Sequence, residues 1–214
     1  LEVDVLIVGA GPAGLSCAID LARRFKANGE EDRMILVLDK AMEVGHHTLS
    51  GSVMNPKGIE ELFSDWRERG FPIQSEVEDD AVVLLRGGGK HNTFKGALVP
   101  PQFNNHGNCI ISLNQAVAWM QAQAEELGVE VYAGFPATEV RYEGDRVVGV
   151  VTRDSGLGKD GEQKSTFEAG MEIRAKVTVF AEGTRGSLAK QLFKRLGLMD
   201  GKNPQTWGTG CKEI

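Results

Sequence analysis

The chain is short of cysteine and of aromatic residues, with only three Cys, two Tyr and three Trp among 214 residues, and it has no apolar run of about eighteen or more. Each scarcity removes a class of protein. Cys17, Cys109 and Cys211 stand far apart, without a Cys-x-x-Cys pair or a histidine at ligand spacing, so this chain alone builds neither a zinc site nor an iron–sulfur cluster. An odd, scattered set is expected to remain reduced thiols, with Cys17 a small core residue on a helix. No membrane-spanning helix is expected. Positive charge is also in deficit: 24 Lys and Arg face 30 Asp and Glu, a net charge of −6. The basic residues are scattered instead of striped, which argues against nucleic acid as a partner. What remains is a 41% hydrophobic chain long enough to bury a substantial core.

The most informative stretch lies near the start. Val3-Asp-Val-Leu-Ile-Val8 has the β-branched pattern of a buried strand, and it runs directly into Gly9-Ala-Gly-Pro-Ala-Gly14, followed by a helical pattern over Leu15 to Phe25. Strand, G-x-G-x-x-G and helix in that order form the context of a dinucleotide-binding turn. Gly9 allows the tight turn, Gly11 lets the backbone approach a pyrophosphate, and Gly14 lets helix and strand pack closely. Pro12 falls in the first helical turn, where a missing N–H does no harm, and the helix directs its remaining free N–H groups at the phosphates. Met34-Ile-Leu-Val-Leu38 then reads as a second strand, with Asp39 at its end, where a carboxylate can accept from a ribose.

Beyond this unit the signals are mixed. Glu43-Val-Gly-His-His-Thr-Leu-Ser-Gly51 is a polar loop at a strand's carboxyl end, well placed to touch a cofactor; the adjacent His46 and His47 have no third ligand and make a poor metal pair. Asn55-Pro56 predicts a helix with Ile59, Leu62, Phe63 and Trp66 on its apolar face and Gly70 at its end. Ala81 to Leu85 predicts a strand and Gly87-Gly-Gly89 its turn. Gly96-Ala-Leu-Val-Pro-Pro-Gln-Phe103 is uncharged, and composition favours packing over exposure. A short strand at Ile110-Ile111 leads to a helix carrying Val117, Met120, Ala124 and Leu127 and stopped by Gly128, and Val129 to Tyr132 is the next strand. Pro136 to Tyr142 and Arg146 to Thr152 flank a hairpin turn of the kind that supplies backbone contacts to an adenine. Ser155 to Ser165 reads as a solvated loop. Glu172 to Ala181 is a strand ending in Glu182-Gly183, before a helix with Leu188, Leu192 and Leu196. Glu182 is either a solvated turn residue or a neighbour of the cofactor. The start at Leu1 and the stop at Ile214 suggest a piece of a longer protein.

Four segments together, Val5 to Leu15, Glu43 to Ser52, Asn104-Asn-His-Gly-Asn108 and Ala175 to Gly183, closely resemble the electron-transfer flavoprotein:ubiquinone oxidoreductase family, and the likeness continues through Leu188 to Leu192 and Pro204-Gln-Thr-Trp-Gly208. The first segment alone would also admit geranylgeranyl reductases and aromatic hydroxylases. The resemblance implies an α/β, Rossmann-like FAD/NAD(P)-binding fold with an inserted β-rich substrate or quinone-side segment. It divides the chain into a dinucleotide-binding core (1–55 and about 107–186) and inserted or quinone-side parts (about 56–106 and 187–214). It implies FAD as cofactor, electron-transfer flavoprotein and ubiquinone as partners, and a [4Fe–4S] cluster only in a part beyond this chain. The parent would be peripheral on an inner membrane, cytoplasmic or mitochondrial, touching it through Leu98 to Phe103, and the piece given would be soluble and inactive toward quinone. Gly9, Gly11, Pro12, Ala13 and Gly14 would cradle the pyrophosphate. Asp39, where the family more often has Glu, would hold the ribose, with Lys40 beside it. Thr48, Leu49, Ser50 and Gly51 would run along the flavin, Glu139 and Val140 would meet the adenine, and Ala181, Glu182 and Gly183 would approach the cofactor. No Ser-His-Asp order or carboxylate pair calls for protein-borne catalysis, which suits a flavin enzyme. The alternatives are an FAD-dependent reductase or monooxygenase fed by a nicotinamide, and a non-catalytic FAD-binding piece.

Overall fold

A computed structural model describes residues 1–214 except 49, 50, 159, 207 and 209–214. In chain order the elements are β1 (Glu2–Val8), α1 (Pro12–Ala27), β2 (Ile35–Leu38), β3 (Ser52–Met54), α2 (Lys57–Leu62), β4 (Ile73–Glu76), β5 (Ala81–Leu85), β6 (His91–Lys95), β7 (Cys109–Ile111), α3 (Leu113–Glu126), β8 (Glu130–Tyr132), β9 (Ala137–Glu143), β10 (Arg146–Thr152), β11 (Ser155–Leu157), β12 (Gln163–Glu168), β13 (Glu172–Phe180) and α4 (Ser187–Leu196).

The central sheet has the order β8-β2-β1-β13-β10-β9. Its first four strands are parallel, and their ends are in register: Val8 pairs with Leu38 on one side and Phe180 on the other, and Leu38 pairs with Tyr132. One edge of the molecule therefore collects four strand ends and the loops that leave them. β10 and β9 continue from the start of β13 as an antiparallel meander.

Alternation along β1 and β2 sends side chains to two cores. Val5, Ile7, Ile35 and Val37 face α1 and α3, meeting Leu15, Ile19, Val117, Met120 and Ala124. Leu6, Val8, Leu36 and Leu38 face the other way, against Val140, Val150 and Ile173 of the meander and Leu188 and Leu192 of α4. Leu6, Ile7, Leu36 and Val37 are fully buried, each contributing on the order of 2 kcal/mol of transfer free energy. The domain boundary expected at 187 falls inside this packed unit, because α4 shares the second core.

Three local expectations need correction. The helix after Asn55-Pro56 stops at Leu62, because Phe63 turns extended (φ −140°, ψ 102°); its cap residue is Pro56, and Asn55 Oδ1 accepts from the Lys57 N–H at 3.0 Å. Ile59, Phe63 and Trp66 are buried all the same. Phe63 and Phe71 meet Trp119 edge-on at 5.3 and 5.1 Å, a packing cluster and not a stacking platform. The 155–165 segment enters the β11–β12 hairpin, an antiparallel pairing with a register shift between Ser155 and Leu157 that its polar composition did not announce. Leu98 and Phe103 are not packed: two three-residue 3₁₀ turns, Gly96–Leu98 and Pro101–Phe103, are too short to present a buried face, and these side chains are 71% and 58% exposed.

Candidate cofactor-binding site

The glycine turn is built as its spacing demands. Gly9 sits at φ +110°, and a Cβ there would lie 2.4 Å from the Ala181 carbonyl oxygen. At Gly14 a Cβ would lie 1.9 Å from the Gly9 carbonyl oxygen, so α1 rests directly on the turn. Gly11 differs: nothing lies within 4 Å of the position a Cβ would take. That open space adjoins the start of α1, which has Pro12 in its first turn, no acidic residue there and no side-chain cap. The free N–H groups and the positive end of a sixteen-residue helix are thus left for an outside anion. Pro12 and Ala13 are exposed at this end.

Asp39 ties the site together. Its Oδ2 accepts from the Ala10 N–H and its Oδ1 from the Ala41 N–H, both at 2.8 Å, so one carboxylate holds the glycine turn and its own loop. Its N–H donates to the Tyr132 carbonyl and its carbonyl accepts from the Phe135 N–H, both at 2.9 Å. Around it the Gly9 N–H donates to the Leu38 carbonyl at 2.7 Å and the Ala181 N–H to the Val8 carbonyl at 2.8 Å. The ends of β1, β2, β8 and β13 are locked into one rim, and the half-buried Asp39 keeps a second lone pair on each oxygen for another donor.

The other sequence-predicted residues fall around this rim in different ways. Lys40 is exposed beside Asp39. Thr48 is half-buried, its N–H donating to the Gly45 carbonyl at 2.9 Å, and Gly51 is exposed; Leu49 and Ser50 lie outside the described residues, as do Trp207 and Cys211. His46 pairs with Glu43 at 3.0 Å. Among the described residues no group of three or more His, Cys, Asp or Glu could hold a metal. Glu182 turns away from the rim: its carboxylate accepts from the Leu188 and Ala189 N–H groups at 3.1 and 2.8 Å, which caps α4, so the Ala181 to Gly183 segment offers backbone. Val140 is buried in the second core, and Glu139 is exposed and bonded to Arg141 at 2.9 Å. They enter the neighbourhood through β9, which begins two residues after Phe135.

The arrangement suits a long, doubly anionic ligand laid over the rim, its negative middle on α1 and a hydroxyl-bearing group at Asp39. Residues 7–64 match the NAD(P)-binding Rossmann-like domain and residues 53–204 match the FAD binding domain.

The chain belongs to the FAD-binding domain family.

Over its full length this FAD-binding chain is 49% identical to the protein named electron transfer flavoprotein-ubiquinone oxidoreductase, mitochondrial, of Mus musculus, and it spans about a third (34%) of that relative. Solved structures share the fold. A geranylgeranyl bacteriochlorophyll reductase-like protein from Thermoplasma acidophilum is 20% identical with a TM-score of 0.56, over 85% of this chain and 39% of that one. CtdE in complex with FAD is 18% identical with a TM-score of 0.54, over 87% and 40%.

Away from the rim, sequence reasoning missed what secures the Asn104 to Asn108 motif. Asp80 accepts from the Asn105 side-chain amide at 2.9 Å and from its N–H at 2.7 Å, and these bonds, the side-chain one foremost, hold the Asp80 carboxyl below the usual range. Burial raises the thiols of Cys17 and of Cys109, so neither is an activated nucleophile.

Proposed function

We propose that this chain is the FAD-binding part of an electron-transfer flavoprotein:ubiquinone oxidoreductase, which would take electrons from reduced electron-transfer flavoprotein and deliver them to ubiquinone at a membrane surface. The observation that carries the cofactor reading is the glycine turn: clear space at Gly11, tight contact at Gly9 and Gly14, and an uncapped helix start facing that space. The whole-length likeness to the mouse relative supports the choice of reaction.

In this reading Gly9, Gly11, Pro12, Ala13 and Gly14 bind the pyrophosphate, and Asp39, with Lys40 beside it, accepts from the ribose hydroxyls. Thr48, Leu49, Ser50 and Gly51 follow the flavin, Glu139 and Val140 approach the adenine, and Ala181, Glu182 and Gly183 close the rim. When bound, FAD supplies the electron-accepting and electron-releasing chemistry, and the chain's residues bind and orient it. The [4Fe–4S] cluster of the proposed parent lies in the part outside this chain.

Membrane contact is proposed for the β5–β6 hairpin and the turns that follow it. Leu84 (53%), Leu85 (80%), Leu98 and Phe103 are exposed there within twenty residues of sequence, a concentration of apolar surface that suits a peripheral contact. Among the described residues no helix is long and apolar enough to cross a membrane.

The test is anaerobic reduction of the FAD-loaded chain. Reduced electron-transfer flavoprotein should bleach the flavin band while NADPH leaves it unchanged. Bleaching by NADPH, with none by the flavoprotein, would move the chain to the nicotinamide-fed reductases and monooxygenases.

A further inference from the structure

Among the described residues β9 ends the central sheet, and its outer backbone groups have no strand partner there. One side chain of α4 takes that place. The Gln191 carboxamide donates from Nε2 to the Thr138 carbonyl at 2.9 Å and accepts at Oε1 from the Val140 N–H at 3.4 Å. One helical turn later Arg195 donates to the Gly144 carbonyl at 2.6 Å and lies over the Tyr142 ring, 3.9 Å from its centroid. Arg195 secures the hairpin turn, whereas Gln191 covers the outer edge of β9.

A carbonyl at one residue and an N–H two residues on point to the same side of a strand edge, and here a single carboxamide spans that acceptor–donor pair. Adenine offers the complement on its N6–H donor and N1 acceptor. A primary carboxamide is the open-chain equivalent, with one N–H donor and one oxygen acceptor on the same carbon. The edge is also in the right place. β9 begins two residues after Phe135, whose N–H donates to the Asp39 carbonyl, so a base attached to a ribose at Asp39 lies beside Thr138 and Val140.

We propose that Gln191 is an internal stand-in for adenine: its carboxamide closes the Thr138 carbonyl and Val140 N–H pair in the free chain and yields that pair to the base on binding. The inference rests on the FAD reading above and deepens it, naming what the base reads and what it displaces. Gln191 is exposed on α4, so its side chain can swing clear without opening the core, and its replacement leaves no buried hole. The longer of its two bonds is the one to Val140, the bond to be exchanged first.

The experiment titrates ADP and inosine diphosphate by calorimetry into the wild-type chain, Gln191→Ala and Gln191→Leu, with FAD stoichiometry measured on the wild type. Two surface hydrogen bonds that keep the pair closed in most molecules lower apparent affinity by the closed fraction, so both variants should bind ADP about 3- to 10-fold more tightly. Hypoxanthine presents an acceptor at O6 and a donor at N1, the reverse polarity, so inosine diphosphate should gain nothing. Unchanged or weaker ADP binding in both variants, or an equal gain for inosine diphosphate, would overturn the stand-in. If the wild type holds FAD at one per chain and the variants match it toward ADP, only this inference fails; if it binds neither FAD nor ADP, the cofactor reading fails with it.

Discussion

Gly11→Ala and Gly14→Ala add the same methyl group three residues apart and should have opposite consequences. At Gly14 the new Cβ would sit 1.9 Å from the Gly9 carbonyl oxygen and 3.3 Å from the Ala181 Cβ, so α1 must lift from the turn by more than 1 Å to reach an ordinary contact near ~3.4 Å. Both neighbours are fixed: Gly9 is bonded to Leu38 and Ala181 to Val8. Overpacking of this kind costs about 2–3 kcal/mol, and in a chain of this size each kcal/mol lowers Tm by about 2–4 °C, so a fall of about 4–12 °C is expected. At Gly11 the methyl meets nothing and the backbone is extended (φ −80°, ψ −178°), so apo stability should change by less than ~1 kcal/mol. Its effect falls on the ligand. The methyl occupies the space a pyrophosphate needs to reach the N–H groups of α1, and one lost charge-assisted hydrogen bond is worth roughly 1.5–3 kcal/mol, a 10- to 100-fold loss of FAD affinity. Differential scanning fluorimetry of the apo chains and fluorescence titration with FAD separate the two effects. A stable Gly14→Ala, or a Gly11→Ala that binds FAD like the wild type, would refute the assignment of open and filled space on which the site rests.

Other consequences follow from named contacts. Asp4 is held down to about 2 by Lys176 first, then by the Met34 N–H and by Arg33. A carboxyl depressed in the folded state stabilises above its unfolded value near 3.8 and loses that contribution as pH falls from about 4 through about 2. Because Lys176 is 68% exposed, the contribution should be about 1 kcal/mol, below the full linkage value, and Asp4→Asn should flatten the stability profile across that window in acid titrations followed by circular dichroism. Glu182→Ala removes the acceptor for the Leu188 and Ala189 N–H groups and should cost about 1 kcal/mol, read in urea midpoints, with a smaller loss for Glu182→Gln. Replacing both Leu98 and Phe103 with Ser should leave Tm within ~1 °C, since both are exposed, while reducing co-sedimentation with phospholipid vesicles several-fold; unchanged sedimentation would reject that surface as the membrane contact.

What could be read in the sequence was what is local. The β1 turn, α1, β2 and Asp39 form one continuous unit whose glycines, strand run and helical period lie within forty residues, and the structure reproduces it nearly residue for residue. α3 and the β9–β10 hairpin were legible for the same reason, one from a 3.6-residue period and the other from two β-branched runs around Glu143-Gly-Asp145. The insertion of β13 between β1 and β10 was not: Glu2 pairs with Arg174 across the length of the chain, and no local pattern encodes a partner that distant. The apolar period from Ile59 to Trp66 predicted a longer helix because burial alone produces that spacing, and here Phe63 and Trp66 are buried from a turn. Glu182 read either as a solvated turn residue or as a neighbour of the cofactor, and the bonds of its carboxylate to the N–H groups opening α4 had no local sequence signal. The Asp80–Asn105 clamp and the Gln191 bridge join residues 25 and more than 50 positions apart through polar side chains, which leave no periodic trace.

The most direct measurement is FAD stoichiometry. The purified chain is mixed with FAD, excess cofactor is removed, and the visible spectrum is recorded against protein concentration. A chain with the open cradle at Gly11 and the Asp39 rim should retain one FAD per molecule with a resolved flavin band. A chain that unfolds cooperatively, shows its full helical and strand signal, and emerges without flavin would contradict the account.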